Sequence, residues 1–213
     1  LQPLPAARAS LRAALAQAAS PPRPASQVRA SFALSRLEQT AGEGDDSIAH
    51  AESALQIASS SQLDALAIQG LIELANAWST QYRMADMQRL LRSALAQADS
   101  IRAYALAARA RFELARALSR TGGEESEIAQ LLDRAAAFYT EASMPGERVK
   151  VLNWRVLLDI RHARYGPART AAAQLRALAA ASGSAVSVLD AEELLAEIDD
   201  HTAAFPSAIE LLS

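Results

Sequence analysis

The chain has 213 residues, of which 51% are hydrophobic and only 5% aromatic, and it carries a net charge of −3 and no cysteine. The missing cysteines exclude disulfides, thiol catalysis and thiolate metal ligands, and the slight acidity argues against binding of nucleic acid or anionic membranes through bulk charge. Alanine, the best helix former, supplies much of the hydrophobic fraction, whereas strand-favouring residues are scarce. We therefore expect an all-α fold.

Runs of Pro, Gly and small polar residues break the chain into helical segments. A first helix is predicted at residues 6–19, followed by a Pro-rich break at 20–24. Four helical hairpins follow, with first and second helices predicted at 26–40 and 46–59, 62–79 and 84–99, 101–120 and 125–143, and 147–164 and 167–181. A further helix at 186–200 and a short piece at 207–212 end the chain.

The sequence repeats itself at a spacing of 40 residues. A shift by 40 places Glu73-Leu74-Ala75 on Glu113-Leu114-Ala115, and a shift by 80 places Phe32 on Phe112. A single hairpin cannot bury its own apolar faces, whereas stacked hairpins can. We therefore predict an array of about four stacked hairpins at 25–183. Residues 1–24 would form an N-terminal capping helix and its linker, and residues 184–213 would form C-terminal capping helices.

Two helix patterns resemble those of the tetratricopeptide repeat family. First-helix positions read Leu74-Ala75-x2-Trp78, Leu114-Ala115-x2-Leu118 and Trp154-x2-Leu157-Leu158, and second-helix positions read Met87-x3-Leu91-x2-Ala94 and Ala168-x3-Ala172-x2-Leu175. The repeat is longer than the family's usual length of about 34 residues. It is similar to the long hairpins attached to bacterial regulators and sensor proteins. The resemblance implies a right-handed α-solenoid of antiparallel hairpins, whose first helices line a concave face.

No residue pattern predicts catalysis or a bound metal. His50, His162 and His201 are far apart in sequence and lack ligand spacing. The Gly122-Gly123 pair has neither the preceding strand nor the following Lys-Ser/Thr of a phosphate-binding loop. Aromatic residues at helical positions are expected in the core, namely Phe32, Trp78, Phe112, Phe138, Tyr139 and Trp154. We expect no enzyme, no cofactor and no metal site.

Projection of the repeat onto the solenoid places a set of polar side chains on the concave face. The set is Arg29, Arg36, Gln69, Asn76, Arg109, Arg116, Arg120, Arg155 and His162. Residues four or seven apart share a helix face, so Arg109, Arg116 and Arg120 form one stripe. Several arginines on one wall predict a positive field that binds carboxylates or phosphates. The alternative is that neighbouring Glu and Asp residues neutralise them in salt bridges.

These features favour a non-catalytic module that binds a protein or peptide, and the arginines favour an acidic one. The alternative function is a sensory or regulatory domain of a larger bacterial signalling protein, such as a transcription regulator or a cyclic-dinucleotide enzyme. Such a domain would bind a small ligand or mediate dimerisation, and its output domain would lie beyond residue 213.

Location and self-association are expectations of the same kind. No segment reaches the roughly 20 apolar residues of a membrane span. We expect a cytoplasmic protein, with the periplasm as the alternative. The terminal helices, through Leu11 and Leu15 or through Leu194, Leu195 and Ile198, would either cap the array or form a homodimer.

Overall fold

The computed structural model describes residues 3–211, with the side chains of residues 4–79 and 81–203. Ten α-helices account for almost all of this part of the chain: α1 (Pro3–Ala19), α2 (Pro24–Ala41), α3 (Gly44–Ser60), α4 (Asp64–Trp78), α5 (Met84–Ser100), α6 (Tyr104–Thr121), α7 (Glu125–Glu141), α8 (Pro145–Arg161), α9 (Tyr165–Ala181) and α10 (Ala185–Leu211). A short 3₁₀ helix, Ser79–Gln81, extends α4. No strand occurs in the described residues, so the all-α prediction is confirmed.

One turn geometry recurs between the helices from α2 onward. Just after each helix, one residue has a φ between 54° and 81°; these residues are Gly42, Gln62, Tyr82, Arg102, Gly122, Ser143, Ala163 and Gly183. The next amide donates to a carbonyl five residues back, as from Glu43 to Glu38 (2.8 Å) and from Arg164 to Asp159 (2.8 Å). This pairing is the Schellman cap of helix C-termini. It keeps successive helices in one repeating register.

The second helices of the hairpins (α3, α5, α7 and α9) each bury a single stripe. The stripe is Met87, Leu91, Ala94 and Ala98 on α5, and it is Ala168, Ala172, Leu175 and Ala179 on α9. Steps of four, three and four residues mark one face of a helix. These helices therefore pack through one side and expose the other.

The first helices of the hairpins are α2, α4, α6 and α8, and in α4 and α6 burial extends over most of the surface. Ala75 and Ala115, at equivalent positions, are both fully buried. Small residues let these helices approach their neighbours closely. At Gly70, an added Cβ would lie 3.1 Å from Leu55 Cδ1 and 3.2 Å from Leu55 Cα. Glycine is therefore what allows α3 to pack so closely on α4.

The helices group into two compact units, one up to Glu124 and one from Glu125. Unit 1 contains α1 to α6, and unit 2 contains α7 to α10. In unit 2, Leu194 and Ile198 of α10 pack into a cluster with Leu175 and Val156. Leu194 and Ile198 therefore pack against their own chain, in agreement with the capping alternative for these two residues.

The last helix differs from the sequence prediction. Helix α10 continues to Leu211, so the break expected between residues 200 and 207 does not occur; Leu212 lies outside the described residues. Among the helices of the described residues, none combines the length and apolarity needed to cross a membrane.

Candidate functional site

The first helices of unit 1 (α2, α4 and α6) present polar side chains on a common face, and hydrogen bonds between the helices fix its alignment. Arg36 Nη1 of α2 donates to Glu73 Oε1 of α4 at 2.8 Å, and Arg109 Nη2 of α6 donates to the same oxygen at 2.9 Å. Gln39 Nε2 of α2 donates to the backbone carbonyl of Asn76 on α4 at 2.7 Å. We call this surface the arginine face. Its members are Arg29, Arg36, Gln69, Glu73, Asn76, Arg109, Glu113, Arg116 and Arg120.

Two buried glutamates hold arginines in place on this face. Glu73 is 3% exposed and Glu113 is 7% exposed. Arg116 Nη1 donates to Glu113 Oε2 at 2.8 Å, and its guanidinium carbon lies 5.7 Å from the centre of the Phe112 ring. A carboxylate removed from water needs a cation or several donors beside it. The glutamates therefore fix guanidinium groups that themselves remain partly exposed.

This geometry supports the salt-bridge alternative for part of the predicted set. Arg36, Arg109 and Arg116 each pair with a glutamate on the face. Arg29 is exposed and forms no ion pair with a described carboxylate. These ion pairs do not cancel the positive charge of the arginine face, because the face carries five arginines and two glutamates.

A small cavity lies at the C-terminal end of the arginine face. Its volume is about 220 Å³, and its lining is Gln39, Asn76, Ser79, Met87, Arg116 and Arg120. Ser79 Oγ donates to the Asn76 carbonyl at 2.6 Å. The cavity is therefore lined by two of the predicted arginines and by two amide side chains, those of Gln39 and Asn76.

Arg155 belongs to unit 2 and occupies a different position in the repeat. Helix α8 begins at Pro145 and α6 at Tyr104, so the step between them is 41 residues and not 40. Arg155 therefore has the position of the buried Leu114, and its guanidinium donates to Asp133 of α7. The register prediction for Arg155 is corrected accordingly.

His162 is displaced by the same extra residue. It lies just after the C-terminus of α8, where its Nδ1 pairs with Glu125 Oε1. The residues of α8 at the positions of Arg109, Arg116 and Arg120 are Lys150, Leu157 and Arg161. Seven residues of the sequence set thus belong to unit 1, and the other two, Arg155 and His162, belong to unit 2.

A charged cluster joins α1 to α2 and its following turn. Arg8 Nη2 donates to Glu38 Oε2 at 2.6 Å and to Glu43 Oε2 at 2.7 Å. Burial raises the pKa of Glu38, and the hydrogen bond with Glu38 lowers the pKa of Glu43. Ligand oxygens of Glu38, Glu43 and Asp46 lie within 4.8 Å of one another, but Arg8 already supplies the positive charge there. The cluster fastens α1 to the array.

The other two histidines and the aromatic residues take part in packing. His201 stacks on Tyr165 with ring centres 5.4 Å apart, and His50 is half-buried on α3. Phe32, Trp78, Phe112 and Tyr139 are buried as predicted, whereas Phe138 and Trp154 are only half-buried.

The glutamates of the arginine face were not assigned from the sequence. In the sequence, Glu73 and Glu113 mark only the repeat. Their signal is a glutamate at the same position of two apolar first helices, with Arg109 four residues before Glu113 and Arg116 three residues after it. This spacing places all three side chains on one helix face.

Comparison with known proteins bears on the fold. No family model matches the chain, and no curated protein matches it. The structure resembles BtubC (BKLC) from P. vanneervenii, with a TM-score of 0.70 and 16% identity over 95% of this chain and 92% of that one. It also resembles the nearly identical TPR-like repeats of a putative kinesin light chain from Podosopora anserina, with a TM-score of 0.69 and 20% identity over 90% and 93% of the two chains.

A third similar structure is a Rap protein complexed with Competence and Sporulation Factor. Its TM-score is 0.68 and its identity 17%, over 87% of this chain and 58% of the Rap chain. At these identities the likeness establishes the fold. The chain has a TPR-like helical repeat fold.

Proposed function

We propose that the chain is a non-catalytic interaction module that binds an acidic peptide segment of a partner protein on the arginine face. The observation that carries the proposal is the convergence of Arg36 and Arg109, from two different hairpins, on the buried carboxylate of Glu73. The pairing orients both guanidinium groups before a ligand arrives. Preorganised groups lose less conformational entropy on binding.

The paired arginines retain hydrogen-bonding capacity toward a ligand. A guanidinium carries five N–H donors, and Arg36 and Arg109 each use one of them on Glu73. Arg36 is 51% exposed and Arg109 is 31% exposed along their side chains. Both therefore present donors outward, where a ligand carboxylate accepts two parallel bonds.

The similar structures support a peptide as the ligand. The Rap protein among them is complexed with Competence and Sporulation Factor, and extended ligands suit the row of side chains that three parallel first helices form.

A cytoplasmic location is part of the proposal.

The second candidate is a regulatory domain of a larger bacterial signalling protein. Helices α2, α4, α6 and α8 begin at residues 24, 64, 104 and 145. This spacing is longer than the usual tetratricopeptide repeat of about 34 residues, and it supports the candidate because the long hairpins that the sequence resembles occur in bacterial regulators. A thermal-shift screen with metabolites separates the candidates, because a small ligand that prefers the folded state raises the apparent melting temperature.

A selection experiment tests the first candidate. A random dodecapeptide library displayed on phage is selected against the wild-type chain, and the enriched peptides are synthesised with blocked termini. We expect enrichment in Asp and Glu, and at least tenfold weaker binding to the Arg29→Gln/Arg36→Gln variant. That variant leaves Arg109 to pair with Glu73, so the fold is retained.

The matched control is Arg102→Gln/Arg134→Gln, which removes the same charge at two exposed positions outside the arginine face. Its affinity should equal that of the wild type. Equal weakening in both variants would reduce the effect to net charge and contradict a specific site.

A further inference from the structure

A groove in unit 2 lies between α7 and α9, with α8 as its floor. Its volume is about 770 Å³. The walls carry mainly small side chains, among them Ala129 and Ala136 of α7 and Thr170 and Ala171 of α9. The groove is separate from the arginine face, because all of its lining belongs to unit 2.

The same positions in unit 1 are filled by an apolar cluster. Ile48 and Leu55 of α3 and Leu90 of α5 pack there against Leu74 and Trp78 of α4. Helices α3, α4 and α5 begin at residues 44, 64 and 84, and α7, α8 and α9 begin at 125, 145 and 165. A constant step of 81 residues therefore relates the two sets.

That step shows how the groove arises from the sequence. The positions of Ile48, Leu55 and Leu90 are taken by Ala129, Ala136 and Ala171, and those of Leu74 and Trp78 by Arg155 and Asp159. Larger residues, Leu132 and Leu158, replace Ala51 and Ala77, yet the gap remains. Loss of this packing costs stability, since a cavity forfeits both transfer and dispersion energy. A ligand-binding site in the groove would account for this loss of packing.

The floor of the groove carries charge where unit 1 is apolar. Arg148, Arg155 and Asp159 share one face of α8 and replace Ala67, Leu74 and Trp78. Asp133 pairs with Arg155, and Asp159 accepts from Arg164 Nε at 2.9 Å. Arg148 is half-buried and forms no ion pair with any described carboxylate.

We propose that this groove binds a short peptide that carries a carboxylate side chain for Arg148 and apolar side chains for the alanine-lined walls. From Arg148 to Asp159 the floor spans eleven residues of helix, roughly 16 Å at 1.5 Å per residue. That length fits about five residues of extended peptide. The helical walls offer no free backbone donors along their length, so the carboxylate of the peptide supplies the anchor.

The test starts from the Arg29→Gln/Arg36→Gln variant, so that ligands of the arginine face do not compete. Phage-displayed dodecapeptides are selected on it, and the enriched peptides are synthesised with blocked termini and fluorescein. Affinity is then measured by fluorescence anisotropy. We expect peptides that share one Asp or Glu flanked by apolar residues.

Two further changes, each in the same background, locate the binding. Arg148→Gln removes the anchor, and we expect at least tenfold weaker binding from the loss of a charge-assisted hydrogen bond. Ala129→Ile/Ala136→Leu copies the side chains of unit 1 into the groove and should abolish binding. Arg176→Gln, on the same helix as Thr170 but outside the groove, is the matched control and should change nothing. Circular dichroism checks that each variant is folded.

Each outcome of these binding measurements either supports or overturns the proposal. Loss of binding in both groove variants, with the control unaffected, supports the proposal. Failure to enrich peptides, unchanged binding in the filled variant, or binding without an acidic residue would each overturn it. None of these outcomes depends on whether the arginine face binds a ligand.

Discussion

Glu73 of α4 and Arg109 of α6 form an ion pair of 2.9 Å in which the carboxylate is 3% exposed and the arginine 31% exposed. The buried partner belongs to one hairpin and the accessible partner to the next. The pair therefore links packing to surface chemistry: the same contact that joins two repeats also orients a guanidinium toward solvent.

Replacement of Glu73 tests the structural half of that link. Glu73→Gln removes the charge that accepts from both Arg36 and Arg109, and we expect the free energy of unfolding to fall by about 1–3 kcal/mol. Urea denaturation followed by circular dichroism measures the change. Glu52→Gln, at an exposed position of α3, is the control and should stay within about 0.5 kcal/mol of the wild type. A similar small effect for both substitutions would refute the role of Glu73.

Tyr82 offers a site for stabilisation. Its φ is 57° and its side chain is 85% exposed, whereas glycine occupies the same turn position at Gly42 and Gly122. The left-handed conformation costs a non-glycine residue about 1–2 kcal/mol, and a glycine at this position removes that cost. The larger conformational entropy of glycine in the unfolded chain offsets part of this gain in stability. We expect Tyr82→Gly to raise the free energy of unfolding by about 0.5–1 kcal/mol.

The reverse change serves as the counterpart. An added Cβ at Gly122 meets no atom within 4 Å, so Gly122→Ala isolates the backbone cost. It should lower the free energy of unfolding by about 1 kcal/mol. If the two substitutions shift the urea midpoint in the same direction, the repeated turn does not have the conformation described.

The pKa of Glu125 reports on the end of α8. Arg164 Nη1 donates to Glu125 Oε2 at 2.6 Å and lowers the pKa of this carboxyl below its ordinary value, and His162 acts in the same direction. A carboxyl group whose pKa is lowered by folding stabilises the folded state at pH values above its ordinary pKa. This contribution is lost as the pH falls through the pKa of the folded state. In an NMR titration we expect a Glu125 midpoint below that of a blocked glutamate peptide.

Arg164→Gln should move that midpoint upward, because it removes the largest cause of the shift. Arg176→Gln changes the same net charge without a contact to Glu125 and should leave the midpoint in place. An unchanged midpoint in Arg164→Gln would show that the pair does not persist in solution.

The sequence was sufficient to predict the helices and the hairpin repeat. Apolar spacing and Gly or Pro breaks are local signals, and stacking follows because no hairpin buries its own face. The turns were harder to predict, since only three of the eight left-handed positions described after helices α2 to α9 are glycine, namely Gly42, Gly122 and Gly183. At Tyr82 and Arg102 the conformation comes from the Schellman bonds of the turn and not from residue preference.

The site was only partly predictable, for reasons of register and pairing. One extra residue in the turn between α6 and α7 (residues 122–124) shifts α8 relative to α6, so Arg155 and His162 do not hold the register positions that a 40-residue repeat predicts. The carboxylate partners come from other helices, as Glu73 does for Arg36 and Arg109. Contacts between helices 36 or 37 residues apart leave no local pattern in a single sequence.

The most direct test of the account is calorimetric titration of a selected acidic peptide, at increasing potassium chloride concentration, into the wild type and the Arg29→Gln/Arg36→Gln variant. Screening weakens attraction between exposed charges. We expect the wild-type affinity to fall as salt rises and the variant to bind at least tenfold more weakly at low salt. Equal affinities for both proteins, independent of salt, would contradict the arginine face as the binding site.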